Sequence, residues 1–378
     1  MQNVGIITLY RGYNYGTSLQ AYALKKVIGE FGYYATILWT DENAHSGRDI
    51  RINKVLRMGF RMLIHPDLFK HTIEAYNRSL RQPLDDAIKS KFIEFEKKHL
   101  QVKGLPFQKL KNFAYAADTQ ALVCGSDQIW SAAGANIEPL YYLQFAPQNK
   151  RVAYAPSFGA SEIPAYNKAL IKKYLQGFHR ISVREKRGAE IVKELLGIDV
   201  PVLIDPTLLL DWNEWKGGAN NKDYILLYFL DEPSDDTIDY IQWLADNIAA
   251  EVYALPYRFK KYEKLPFLQY ITAGPEEFVS LVSNAKFVLT DSFHGTAFSI
   301  NFNVPFYTFA RNYGSVRQTS RITSLLQTFG LEKQYIECVQ QVIKSVPSLD
   351  FTRSNEILTE QRKKAEKYLK ETLNGIKV

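Results

Sequence analysis

Residues 288–306 read VLTDSFHGTAFSINFNVPF. An apolar run ends at Leu289 and gives way to Thr290, Asp291 and Ser292. His294 and Gly295 follow, and Thr296 to Phe302 carry helical character. Where a strand passes into a helix, the N–H groups of the first turn have no partner inside the helix. Together with the helix dipole they attract anions. Gly295 allows close approach to the backbone, Ser292 and Thr296 offer hydroxyl donors, and His294 can give a hydrogen bond or a proton near neutral pH. The stretch reads either as a tight turn with a core or capping histidine or as a seat for a phosphate.

Three further loops carry candidates of the same kind. Arg184, in SVRE, ends a buried run, and a guanidinium can grip a carboxylate or phosphate with two parallel bonds. The alternative for Arg184 is an ion pair with Glu185 or Asp205. Asp127, in GSDQIW with Ser126 and Gln128, can accept a proton from a hydroxyl or close an Asx-turn. In RGYNYGTS, Asn14, Tyr15, Gly16, Thr17 and Ser18 suit hydroxyl recognition or the capping of a helix. Arg311, Arg317 and Arg321 follow the His-Gly segment and sit at the surface or reach the same pocket. The patterns GxxxxGK[ST], HExxH, CxxC and GxSxG are absent, and GxGxxG is missing from the first strand-to-helix turn, which argues against a dinucleotide enzyme.

These loops need elements to place them. Apolar runs at 4–9, 33–39, 120–124, 150–155 and 180–185 read as strands, and helical spacing at 19–32, 85–100, 165–178 and 186–197 separates them. Residues 200–210 close this half. After a Gly- and Asn-rich stretch the alternation restarts, with strands at 224–230, 251–256, 286–290 and 305–309 and helices at 236–248, 274–285 and 295–303. Helices near 320–329 and at 354–373 finish the chain. Such β/α alternation predicts parallel sheets. The expectation is an N-terminal Rossmann-like domain at 1–210, a C-terminal one at 211–350, and a final helix, 351–378, packing back on the first. Ligands of such sheets bind beyond the carboxyl ends of the strands.

Composition narrows the classes. The chain has 378 residues, 46% apolar, with no apolar run long enough to span a bilayer and no signal-peptide pattern. Cys124 and Cys338 make neither a disulfide framework nor a zinc site, so a reducing cytoplasm is expected. Net charge is +7. Residues 48–82 hold eight Lys and Arg against three Asp and Glu, and apolar residues sit among them. This basic helical insertion, about 46–82, reads as a solvated face or as an amphipathic surface against anionic lipid at the inner face of the cell membrane. Nucleic acid is not expected, since no recognition motif accompanies the charge.

The ordered set GIITLYRGYNYGTSLQAYALKKVI, GSDQIW, YAPSFG, SVREKRGAEIVKELLG, DPTLLL and TDSFHGTAFSINFNVPF resembles the polysaccharide pyruvyl transferase family. The resemblance implies a GT-B-like fold, with two Rossmann-like domains facing a cleft and a C-terminal helix crossing back. It implies pyruvyl transfer from phosphoenolpyruvate to a sugar of a cell-surface polysaccharide or its lipid-linked precursor, as a cyclic ketal, with no resident cofactor or metal. By similarity Arg184 and His294 fall on donor-binding positions, joined by Ser292, Gly295, Thr296, Arg311 and Arg317. His294 and Asp127 are the catalytic candidates. Asn14, Tyr15, Gly16, Ser126, Asp127 and Gln128 are the acceptor-side candidates. Some members carry an arginine two residues before the histidine, where this chain has Ser292, and Arg311 or Arg317 could replace that charge. The alternatives are a GT-B glycosyltransferase using a nucleotide sugar and a non-catalytic glycan-binding relative.

Overall fold

A computed structural model of the chain describes residues 1–42, 59–60, 63–64, 84–132, 136–217, 223–265, 267–311, 320–337, 346 and 349–376. The first half runs β1 (Asn3–Ile7), α1 (Tyr15–Glu30), β2 (Tyr34–Trp39), α2 (Asp86–Phe95), β3 (Lys103–Gly104), α3 (Phe107–Tyr115), β4 (Thr119–Cys124), β5 (Arg151–Ala153), α4 (Ala165–Leu175), β6 (Arg180–Ile181) and α5 (Lys186–Leu196). Its strands form one parallel sheet in the order β3-β2-β1-β4-β5-β6.

The second half runs β7 (Tyr224–Tyr228), α6 (Asp235–Ile248), β8 (Glu251–Leu255), β9 (Leu268–Tyr270), α7 (Pro275–Ser283), β10 (Phe287–Thr290), α8 (Phe293–Phe302), β11 (Phe306–Phe309), α9 (Ser320–Phe329) and β12 (Tyr335–Ile336). Its parallel sheet has the order β12-β11-β10-β7-β8-β9. Counted within each half, both sheets have the doubly wound order 3-2-1-4-5-6. Each therefore reverses direction between its first and fourth strands, where ligand crevices form. The loops after β1, β4, β7 and β10 carry most of the candidate residues.

Central strands such as β4 and β7 are buried along their whole length, as strands covered by helices on both faces must be. Helix α8 is buried from Phe293 to Ile300 because it lies between the halves and packs on α7, α1 and the turn at Pro206–Leu208. The last helix, α10 (Thr352–Gly375), returns to the first half. Gln120 donates to the carbonyls of Leu373 and Ile376, and Tyr368 donates to Ala153 O. Arg362 on α10 donates to Leu208 O, Leu210 O and Asn301 Oδ1, tying linker, α8 and final helix together.

Two local expectations, for the 180–185 run and for the start of α8, differ from what is observed. The 180–185 run is a strand only over Arg180–Ile181, followed by a single bridge between Val183 and Val202. Residues 200–210 form no longer strand: Pro201 and Pro206 lack the N–H a ladder needs, and Pro206 opens a short 3-10 turn. Helix α8 begins at Phe293, not Gly295, because Ser292 is already the extended capping residue, with φ −100° and ψ 135°. Of the basic insertion at 46–82, only Gly59, Phe60, Leu63 and Ile64 are among the described residues, and all but the glycine are large apolar side chains exposed to solvent.

Candidate active site

Asp205, in the linker between the halves, is the hub of a buried polar cluster. Its Oδ2 accepts from Arg184 Nη1 at 2.6 Å and Ser126 Oγ at 3.1 Å, and faces His294 Nε2 at 3.6 Å. Its Oδ1 accepts from the backbone N–H and hydroxyl of Thr207. Burial alone would raise the carboxyl pKa. The charge of His294, that of Arg184 and the Thr207 amide together outweigh burial, and the group is held well below the usual carboxylate range.

Arg184 is 2% exposed at its side chain and stands 4.2 Å over the ring of Phe293. Nη2 reaches Asp127 Oδ1 at 3.4 Å. Both terminal nitrogens thus meet carboxylates, so the ion pair with Asp205 is the arrangement seen and the guanidinium fork is not open. Its Nε is buried without a hydrogen-bond partner among the described residues. Asp127 has φ of 58°, a conformation that short polar residues tolerate best after glycine. Its Oδ2 accepts from Thr17 Oγ1 at 2.9 Å. Burial raises its pKa, but Arg184, His294 and Arg321 together bring it below the ordinary value. Arg321, on α9, is therefore part of the electrostatics here.

His294 sits in the first turn of α8, 5% exposed. Its ring rests against Gly16 on α1, and a Cβ at Gly16 would overlap the imidazole. Only glycine lets these two helices, one from each half, meet there. Nε2 has no hydrogen-bond partner among the described residues. No described group accepts from the N–H of Phe293, His294 or Gly295, so this helix start offers three amides.

Several candidates occupy different roles from those expected. The space beside Gly295 is filled by Thr290 and Tyr228, so this glycine serves helix–sheet packing and not ligand approach. The Thr296 hydroxyl is taken by Ser292 O and Thr308 Oγ1, and so is not free for a ligand. The Ser292 N–H donates to Thr290 Oγ1. Arg311 pairs with Asp231 at 3.0 Å and Asp291 at 3.4 Å, which neutralises the charge that would have compensated for Ser292. Arg317 lies outside the described residues. On the acceptor side, Asn14 is an N-cap accepting from Thr17 N. Tyr15 is buried, donates to Ala273 O of the other half and stacks on Phe278 at 4.5 Å, a domain contact and not a ligand contact. The Ser126 hydroxyl is spent inside the cluster on Ala155 O and Asp205.

Two cavities border the loops that carry these candidates. One, about 320 Å³, is lined by Arg184, Asp205 and Phe293 together with Lys186, Ser324 of α9 and Lys364 of α10. Sequence reasoning missed both lysines as site residues. Lys186 read only as the first residue of the 186–197 helix, and Lys364 is brought in only by the return of the last helix. The other, about 470 Å³, lies over the first sheet beside Trp39, Gln128 and Tyr141. Gln128 thus borders this second cavity.

A family model described as polysaccharide pyruvyl transferase matches residues 14–313, which include every one of these loops except part of the first. No curated protein matches the chain. Among solved structures, the UDP-GlcNAc 2-epimerase from Neisseria meningitidis bound to UDP-GlcNAc is similar at 10% identity and a TM-score of 0.51, over 99% of this chain and 100% of that one. The S. aureus MnaA–UDP co-structure is similar at 11% identity and a TM-score of 0.50, over 98% and 91%. At this identity the likeness concerns the fold, a GT-B-like pair of Rossmann-like domains.

Proposed function

The chain belongs to the polysaccharide pyruvyl transferase family, and from that premise we propose that it moves the pyruvyl group of phosphoenolpyruvate onto two hydroxyls of one sugar, as a cyclic ketal. The observation that carries this reading is the meeting of His294 and Arg184 at one carboxylate. A buried imidazole nitrogen with no partner among the described residues faces Asp205, which Arg184 also holds. A nitrogen left in that state is poised to pass a proton to a ligand.

The donor is doubly anionic at least, and the cavity beside Arg184 suits it. Lys186 and Lys364 line that cavity, and the Nε of Arg184 is the guanidinium nitrogen with no partner among the described residues. Arg184 then acts mainly as a positioning residue, because Asp205 and Asp127 hold its other two nitrogens. In the proposed step His294 gives a proton to the methylene carbon of the donor. The adjacent carbon becomes oxocarbenium-like, and the first sugar hydroxyl adds to it and releases its proton. The bond from that carbon to the phosphate oxygen breaks, phosphate leaves with the electron pair, and the second hydroxyl closes the ketal as its proton passes to the departing phosphate. Asp127 is ionised, and its lowered pKa makes it a weak base. A weak base suffices, since a hydroxyl attacking so electrophilic a carbon becomes strongly acidic. The sequence of steps draws on no resident cofactor.

The test is incubation of the protein with phosphoenolpyruvate and a panel of synthetic and lipid-linked glycosides, read by mass spectrometry and by phosphate release. Expected is the mass gain of one pyruvyl ketal with one phosphate released per ketal. Sugar transfer from a nucleotide sugar instead, with no ketal, would replace this reading with the glycosyltransferase one.

A further inference from the structure

Three loop ends of the second sheet meet at one buried carboxylate. Asp291 directly follows β10 and stands three residues before His294. It is 3% exposed. Its Oδ1 accepts from the backbone N–H of Leu230 at 2.7 Å and its Oδ2 from that of Asp231 at 2.9 Å, both in the loop after β7. Arg311, just after β11, faces Oδ2 with its Nε at 3.4 Å and donates to Asp231 Oδ2 at 3.0 Å. The neighbouring residues continue the fastening. Thr290 Oγ1 donates to Tyr228 O at 2.6 Å and accepts from the N–H of Ser292. Ser292 is the extended residue before α8, the ring of Phe293 lies 4.2 Å from the Arg184 guanidinium, and His294 follows. The turn that delivers both residues to the cluster is therefore held by the loops around it.

Resting on the pyruvyl-transfer reading, we propose that the Asp291 carboxylate is a positioning residue for the reaction, one that fixes the turn from β10 into α8 and so the place of His294. Every described partner of its two oxygens is a donor: two amides and a guanidinium nitrogen. An ionised carboxylate only accepts, so it satisfies all three. A neutral carboxyl carries a proton of its own, which must displace one of them. Burial and the Asp231 charge favour the neutral form, while Arg311 and the two amides favour the ionised one. The balance puts Asp291 at about 6. The other described titratable groups within its electrostatic reach are Tyr228, Tyr257 and Tyr262. Burial holds these phenols above their usual pKa, so they stay neutral through this range. Above about pH 6 the turn is fastened, and below it one fastening is lost. A small displacement of a catalytic group costs about tenfold to hundredfold in rate.

The experiment measures kcat for ketal formation between about pH 5 and pH 7.5 in the wild type and in Asp291→Asn, whose amide puts a donor where an acceptor is needed. The phosphate of the donor titrates in the same range, and the ratio of the two kcat values cancels it. The ratio is expected to be about 10- to 100-fold at pH 7.5. It should fall about five- to tenfold by pH 5, where about a tenth of the wild type keeps the charge. A role in packing alone would give a ratio that does not change with pH. Asp231→Asn removes the neighbouring charge but keeps the backbone amide, and should move the midpoint of the decline to lower pH. The amide resonances of Leu230 and Asp231 read the same contact without substrate. They should titrate near pH 6 in the wild type and stay flat in Asp291→Asn. A constant ratio, wild-type kcat in Asp291→Asn, or flat amides in the wild type overturns the proposal. The two readings fail separately. Titrating amides with no ketal from any acceptor remove the pyruvyl-transfer reading alone. Ketal formation with a constant ratio removes this one alone.

Discussion

Two cavities border the candidate loops, and the charged residues on their walls differ. The cavity at Arg184 has Lys186 and Lys364 on its walls, and the cavity at Trp39 has Asp41 and Glu138. At the first of them stand Arg184 and Asp205, joined to Asp127 and His294 in a set whose carboxylates each meet a cation. The contrast teaches where discrimination and chemistry reside. A cluster whose carboxylates are held by an arginine and hydroxyls keeps its geometry, while the lysines on a cavity wall, unpaired among the described residues, attract an anion.

The sharpest way to break this picture is at His294. His294→Gln keeps a polar side chain of similar reach against Gly16 but cannot deliver the proton. We expect kcat for pyruvyl transfer to fall by about 10²- to 10⁴-fold, the scale of general acid catalysis. A variant retaining wild-type kcat would show that the imidazole only fills space between the halves.

A finer test compares two buried carboxylates, Asp205 of the linker and Asp291 after β10. Asp205 lies below its ordinary pKa, so its contribution to stability is present above about pH 3.9 and is lost only as pH falls below that value. Asp291 is the reverse. Burial, only partly offset by an Arg311 that Asp231 shares, raises it to about 6. A raised carboxyl gives stability that is present below the unfolded pKa and lost as pH rises through the folded one. Between pH 5 and 8 the wild type should therefore lose roughly 1–2 kcal/mol of unfolding free energy relative to Asp291→Asn. The difference from Asp205→Asn should stay flat over the same range. Denaturant titrations at the two pH values read both, and a flat difference for Asp291→Asn would contradict the assignment.

The sequence carried more of the fold than of the site. The β/α alternation and the restart after residue 223 are local patterns, and the two sheets follow them closely because buried parallel strands are near-continuous apolar runs. The meeting of Arg184 with His294 was visible as two polar loops at strand ends. What each loop residue does was less visible. Tyr15 and Gly16 read as ligand contacts in a polar loop, yet they open helix α1 and their partners, Ala273 O and the His294 ring, belong to the other half. Asp205 read as one possible partner of Arg184 and proved to bind four side-chain or backbone donors and face a fifth. Lys364 reaches its cavity through the course of a helix far along the chain, and no spacing rule connects it with Arg184. Contacts across a domain interface have no sequence period, and these were the ones missed.

The most direct test of the lysine cavity as the donor seat is thermal unfolding with and without phosphoenolpyruvate, for the wild type and for Lys186→Glu combined with Lys364→Glu. A ligand that binds only the folded state raises the melting temperature with its concentration. The wild type should be stabilised by phosphoenolpyruvate and not by a nucleotide sugar, and the double charge reversal should lose that stabilisation while still unfolding cooperatively without ligand. Stabilisation by phosphoenolpyruvate that survives the reversal, or stabilisation by the nucleotide sugar alone, would contradict it.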